Sequence, residues 1–372
     1  MQKNKLQQYF PIIRGKEEIL KEIGKKPHLR TLFSSWKTEY QEEFLDFCSG
    51  AKGIKILYDS YFKEVMNPEY DSTRLESFIS TILGRNVKIL QILPNDSTRL
   101  TDETTLLWTD VIVELEDGSI ANVEVQKIGY AFSGQRSACY SSDMLLRQYK
   151  RVRGKRGDTF SYRDIKNVYL IVIYEKSPKE FHQLPDIFYH HARQIFDSGL
   201  KLNLLQEYIM IPLDIFREKM QNKAIETELE AWLTFLSSDE PEVIIQLITQ
   251  YPKFKAMYET LYQMCRNVEG VMHMFSKELQ MLDRNTTIYM VDELQKELEQ
   301  KDEQLSQKDE QLSQKDEQLS RQNLQLSQKD EQLNRQNLQL NQKEKELEKE
   351  RNEKKLLLEQ IAALKKTNRK HG

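Results

Sequence analysis

The chain has 372 residues, 39% hydrophobic and 30% charged, enough for one large or two ordinary folded units with a true core, which excludes a chain disordered throughout. Its formal net charge of −3 balances 55 basic against 58 acidic residues, so no global excess advertises nucleic acid or a membrane, and any basic surface has to be local. Cys48, Cys139 and Cys265 show neither zinc spacing nor a disulfide framework, the longest apolar run (VYLIVIY, 168–174) is strand-length, and the N-terminus lacks a signal peptide's apolar core, so a cytoplasmic protein without a membrane partner is expected.

Residues 1–45 read as an N-terminal helical segment. STRLESFISTIL at 72–83 has helical spacing, and 87–93 reads as a strand. LLWTDVIVEL (106–115) and SIANVEVQ (119–126) are strands joined at Glu116-Asp117-Gly118, and 132–152 is a long helix. The stretch 167–174, apolar on both faces, suits a central strand of a mixed sheet covered by helices. Residues 178–199 are expected to be loop and helix. They carry His190-His191, adjacent on a helix and without HExxH, so an ordinary helix surface explains them better than a zinc site. A further strand is expected at 208–212 and helices over 224–294, with Tyr258, Tyr262 and Phe275 in the core. The order of elements predicts an α/β fold, with a domain at 46–215 and a helical subdomain at 216–291.

From 292 to 372 the composition changes to an internal repeat of seven. Leucine recurs at 298, 305, 312, 319, 326, 333, 340 and 347, without Pro or Gly. That period predicts one long helix and a weak coiled coil. With leucine at one core position, the other holds Asp302, Asp309, Asp316 and Asp330, or Lys308, Lys315, Lys329 and Lys343. Either set disfavours a tight dimer, and a solvated single helix with ion pairs four residues apart is the competing reading. A firmer seam, Leu357, Ile361 and Leu364, lies near the end.

The hairpin is the candidate for chemistry, and the competing reading of its acids, Asp110 and Glu124, is a surface edge hairpin in which each pairs with a nearby Lys or Arg. A three-residue turn with Gly118 in the left-handed position pairs Leu115 with Ser119, Val113 with Ala121 and Val111 with Val123, and so sets Asp110 opposite Glu124. Cross-strand partners share a face at about 4.5 to 5.5 Å between Cβ atoms. Two carboxylates that close repel unless a cation lies between them, and Mg²⁺ or Mn²⁺ suits such an oxygen site. Gln126 projects from the Glu124 face, where it can orient a water; Lys127 projects to the other face. Eight basic residues between 147 and 166, among them Arg151, Arg153, Lys155 and Arg156, oppose only Asp158 and Asp164. This patch suits phosphate contacts, or else a solvated helix end complementing the dipole.

Asp110, then Glu124-Val-Gln126, then Arg136-Ser-Ala-Cys-Tyr140 and Gln148 resemble the PD-(D/E)XK nuclease superfamily, in particular the branch of PD-(D/E)XK nuclease family transposases, related to the recombination-promoting nucleases. LYDSYFKEVMNPEYDSTRLESFISTILGRNVKIL before the motif, and ELEAWLTFLSS and MLDRNTTIYMVDELQ after it, extend the likeness over roughly residues 30 to 295. The resemblance implies a restriction-endonuclease-like mixed sheet flanked by helices. It implies a divalent metal held by Asp110 and Glu124, with Glu76 matching the place of an extra acidic ligand in some members. Gln126 stands where most of the superfamily has lysine, and Arg136, Tyr140 and Gln148 match the helix pattern, Arg136 as a phosphate or Glu124 partner and Gln148 as a DNA or phosphate contact. Hydrolysis of DNA phosphodiesters is the implied activity, or strand transfer with a DNA 3′-hydroxyl in place of water. Expected partners are DNA and a second copy through the heptads. A catalytically inert DNA-binding or coiled-coil scaffold protein retaining the nuclease fold is the alternative.

Overall fold

The computed structural model describes residues 4–93, 111–127 and 133–368. The chain divides into two compact units, residues 1–294 and 295–372.

Unit one opens with short helices, α1 (Lys5–Tyr9), α2 (Lys16–Lys25), α3 (Pro27–Ser35), α4 (Thr38–Cys48), α5 (Asp59–Val65) and α6 (Pro68–Leu83). Helix α6 starts where the Asn67 side chain accepts the Glu69 N–H at 3.0 Å, with Pro68 in the first turn, and stops at Gly84, whose φ of 64° a residue with a Cβ rarely adopts. Strands β1 (Ile89–Ile92), β2 (Val111–Leu115) and β3 (Ile120–Gln126) precede helix α7 (Ser133–Arg156) and strand β4 (Val168–Tyr174). Then come β5 (His190–Arg193), β6 (Gln206–Pro212), α8 (Leu213–Met220), α9 (Glu228–Ser237), α10 (Pro241–Gln250), α11 (Lys253–Met264) and α12 (Val268–Asn368).

The sheet order is β1-β2-β3-β4-β6-β5, with β3, β4 and β6 parallel and the flanking pairs antiparallel. This is the mixed, helix-covered sheet that the element order predicts. Strand β4 is central and buried at all seven positions, as its unbroken apolar run requires. One segment differs from expectation. Residues 178–199 hold a 3₁₀ turn at Phe181–Gln183 and the edge strand β5, so His190 and His191 lie on a strand, not on a helix. His191 meets Glu207 of β6 at 2.7 Å and His190 the Ile187 carbonyl at 3.1 Å. An edge strand pairs on one side only and half-exposes both faces, so HHAR carries no apolar alternation to betray it.

The two faces of the sheet differ. Val113, Ala121, Val123, Ile171, Ile173, Ile209 and Ile211 join a large core with the helices, in which Tyr258, Tyr262 and Phe275 are buried. On the opposite face a smaller cluster, including Ile112, Ile120, Leu170 and Val172, packs against Tyr140 and Met144 of α7. Helix α7 therefore roofs a distinct layer, and that layer carries the polar residues of β2 and β3.

In the second unit the heptad leucines stand in solvent: Leu305 is 57% exposed and Leu340 59%. Arg321 and Glu317, one turn apart, approach to 3.4 Å. Among the described residues no helix is long and apolar enough to cross a membrane.

Candidate active site

Turn chemistry sets the site's register. Gly118 has φ of 82°, its N–H donates to the Leu115 carbonyl at 2.8 Å, and the Leu115 N–H donates to the Ser119 carbonyl at 2.8 Å. Val111 pairs with Val123, Ile112 with Asn122, Val113 with Ala121 and Glu114 with Ile120, which is the register expected from sequence. Asp110 itself lies outside the described residues.

Alternation then puts Asn122, Glu124 and Gln126 on the α7 face and Ala121, Val123 and Val125 on the other. All three polar residues are buried: Asn122 is 0% exposed, Glu124 4% and Gln126 5%. The Gln126 amide donates to Glu124 Oε1 at 2.8 Å. Glu124 Oε2, Gln126 Oε1 and both polar atoms of the Asn122 amide find no hydrogen-bond partner among the described residues. Buried polar atoms are ordinarily satisfied, so this row of three oxygens and one amide nitrogen, without partners among the described residues, makes the strand face the candidate for a ligand. Sequence reasoning missed Asn122, although NVEVQ already carries its alternation.

Burial pushes the Glu124 carboxyl up from its ordinary 4.5 to about 7, while the Gln126 hydrogen bond and the Arg136 charge pull it down. Tyr174, whose position on β4 pairs with Gln126, is raised by burial and then by the Glu124 charge. A carboxyl whose folded pKa is raised binds more protons folded than unfolded, so stability is fully present below about 4.5 and declines as pH rises toward 7. At 1.36 kcal/mol per unit the loss reaches up to about 3 kcal/mol. In EDTA, urea unfolding across this range is expected to show that decline, and Glu124→Gln to flatten it; equal slopes for both proteins would contradict the assignment.

Helix α7 brings Arg136 and Tyr140 toward Glu124. Arg136 Nη2 donates to the Tyr140 hydroxyl at 3.2 Å, and its charge acts on Glu124. Gln148 lies three turns further on and is 0% exposed. Its amide donates to the Gly118 carbonyl at 3.1 Å and accepts the Lys166 N–H at 2.8 Å. It ties the hairpin turn to the start of β4, a role that spacing alone does not reveal. Arg151 turns to the sheet and pairs with the buried Glu114 at 3.2 Å, where Gln91 also donates. Arg153, Lys155 and Arg156 are exposed at the end of α7.

Glu76 sits on α6, beside β1. Its Oε1 accepts the Ile89 N–H and its Oε2 meets Lys88 Nζ, each at 3.0 Å, and although burial raises this carboxyl, the two contacts leave it below the ordinary range. Lys127 projects to the far face, as expected, and pairs with Glu278 of α12 at 2.6 Å. Its ammonium lies 4.1 Å from the centre of the Tyr58 ring, and Glu278 also accepts the Ser60 N–H at 3.0 Å. Among the described residues no group of three His, Cys, Asp or Glu side chains converges on a metal-sized site.

A buried carboxylate and amide thus stand on an inner strand of a mixed α/β sheet, faced by an arginine-bearing helix. The chain matches the family described as PD-(D/E)XK nuclease family transposase over residues 56–291, well over half its length, and belongs to that family. No curated protein matches the chain.

Proposed function

We propose that the protein is a Mg²⁺- or Mn²⁺-dependent DNA endonuclease, with Asp110 and Glu124 as metal ligands and Gln126 orienting the attacking water. The observation that carries this reading is Glu124, fully buried, its carboxyl raised to about 7 and its Oε2 unpartnered among the described residues. The donors fit a hard divalent ion, because the open atoms at Glu124 and Gln126 are oxygens. Such an ion supplies Lewis acidity at the phosphate and lowers the pKa of water.

The chain's own residues do the rest. Gln126 holds Glu124 Oε1 through its amide, which leaves the Gln126 carbonyl oxygen to accept a hydrogen bond from water. Arg136 opposes the negative charge gathered at Glu124 and, with a phosphate present, the charge that grows on it during cleavage. As a neutral amide, Gln126 adds no positive charge of its own. In this reading Glu76 stays with Lys88 and the Ile89 N–H, Gln148 and Arg151 position the hairpin and sheet, and Arg153, Lys155 and Arg156 contact DNA backbone. Nicking of supercoiled plasmid in Mg²⁺, Mn²⁺ and EDTA tests the assignment. A DNA 3′-hydroxyl used in place of water at the same site gives strand transfer, as recombination or transposition requires.

We infer a second copy as partner through the heptad leucines, which are more than half exposed. With Asp or Lys at the alternate core position the pairing is weak. Sedimentation is expected to show monomer and dimer exchanging at tens of micromolar; a strict monomer there would remove the dimer from the model of action.

A further inference from the structure

We propose that the loop at the C-terminal end of α7 is a stacking site for unpaired nucleobases of a DNA strand leaving the active site. The inference rests on the DNA-cleaving reading and specifies its substrate as DNA with a single-stranded portion.

Three aromatic rings meet there. Phe160 packs edge-on against Tyr149 and Tyr162, with ring centres 5.5 and 5.4 Å away. Tyr149 and Tyr162 lie nearly parallel, at an interplanar angle of 15° and 6.1 Å between centres. Phe160 and Tyr149 are half-buried and close the loop, whereas Tyr162 remains 77% exposed. A ring stacked on one side and exposed to that degree offers its other side to solvent. Packing of the loop does not require this, since Phe160 already fills the junction.

The surroundings select the ligand. The Arg153 guanidinium lies 5.7 Å from the Tyr149 ring centre, and its side chain also donates to the Tyr149 hydroxyl. Lys150, Lys155 and Arg163 are exposed nearby. Of the two local acids, Asp164 caps the Ser161 N–H at 2.9 Å and lies 3.9 Å from Arg156. Aromatic faces interleaved with cations suit a polyanion whose monomers carry π-faces, and every base has one. In a duplex those faces are already stacked on their neighbours, so the free face of Tyr162 selects an unpaired base.

Helix α7 connects this platform to the candidate active site. Arg136 acts on Glu124 near one end of α7, while Gln148 holds the opposite end of the hairpin at Gly118. From residue 136 to 153 the helix rises by about 25 Å at 1.5 Å per residue.

The test is binding in EDTA, which separates it from cleavage. The full chain is titrated, at fixed salt, with a blunt duplex and with the same duplex bearing a single-stranded tail that contains 2-aminopurine. The tailed duplex is expected to bind about tenfold tighter, with quenching of the 2-aminopurine. Tyr162→Ala is expected to remove both the preference and the quenching, and Tyr162→Phe to keep them, because the ring and not the hydroxyl does the stacking. Equal binding of blunt and tailed DNA by the wild type would overturn the proposal, as would unchanged quenching in a folded Tyr162→Ala protein. A tailed-DNA preference in a protein that cuts nothing would retain the platform and reject the nuclease reading; cutting without the preference would do the reverse.

Discussion

Alanine at Asp110 or Glu124 is expected to reduce metal-dependent plasmid nicking by at least about a hundred- to a thousand-fold, the scale on which preorganised charge stabilisation is lost in enzymes. The two substitutions act through one site, so the double variant should be no worse than either single one. Glu124→Gln is the sharper probe. It keeps the shape of the side chain and removes the charge, and the neutral amide avoids the desolvation cost of burial that raises the carboxyl to about 7. The variant should therefore be folded and more stable at pH 8 in EDTA while cutting nothing. If all forms fail to cut yet bind DNA alike, the protein is an inert binding module on a nuclease scaffold.

Loss of Lys127 is the second large effect. Glu278 is wholly buried and Lys127 nearly so, and the two stand 151 positions apart in sequence. Lys127→Met leaves a carboxylate uncompensated in the core and is expected to cost about 3 to 5 kcal/mol in urea unfolding. Lys127→Met combined with Glu278→Leu should recover most of that loss, since a buried pair replaced by apolar residues is close to neutral. A double variant as unstable as the single would show that the Ser60 N–H, which Glu278 also holds, matters more than the charge pair.

The hairpin was the most legible part of the molecule. Glu116-Asp117-Gly118 permits few turn geometries, and once Gly118 is left-handed the alternation of Val111, Val113, Ala121 and Val123 leaves one register that buries the apolar side. Helix α7 and strand β4 were legible for the same reason, a local period matching a local structure. What stayed hidden depends on distance in sequence. Nothing near Gln148 says that it will hold Gly118, thirty residues away, nor does anything near Arg151 reveal Glu114. Strand β5 was missed because an edge strand of HHAR carries no pattern of burial. Asn122 was overlooked for a different reason: its neighbours draw attention as ionisable groups, while an amide becomes conspicuous only when the fold buries it at 0% exposure without a partner among the described residues.

The repeating tail has a property that its leucines alone do not suggest. Each heptad lengthens the helix by about 10.5 Å and returns the leucine face to within about 20° of its former azimuth. Adding or deleting one copy of KDEQLSQ is then a nearly silent change of phase, in which the reach of the helix grows by a fixed quantum and its chemistry is preserved. That quantum is close to three base pairs of B-form DNA, counted at 3.4 Å each. A chain built this way changes its span in discrete steps of one heptad, as a telescoping rule does.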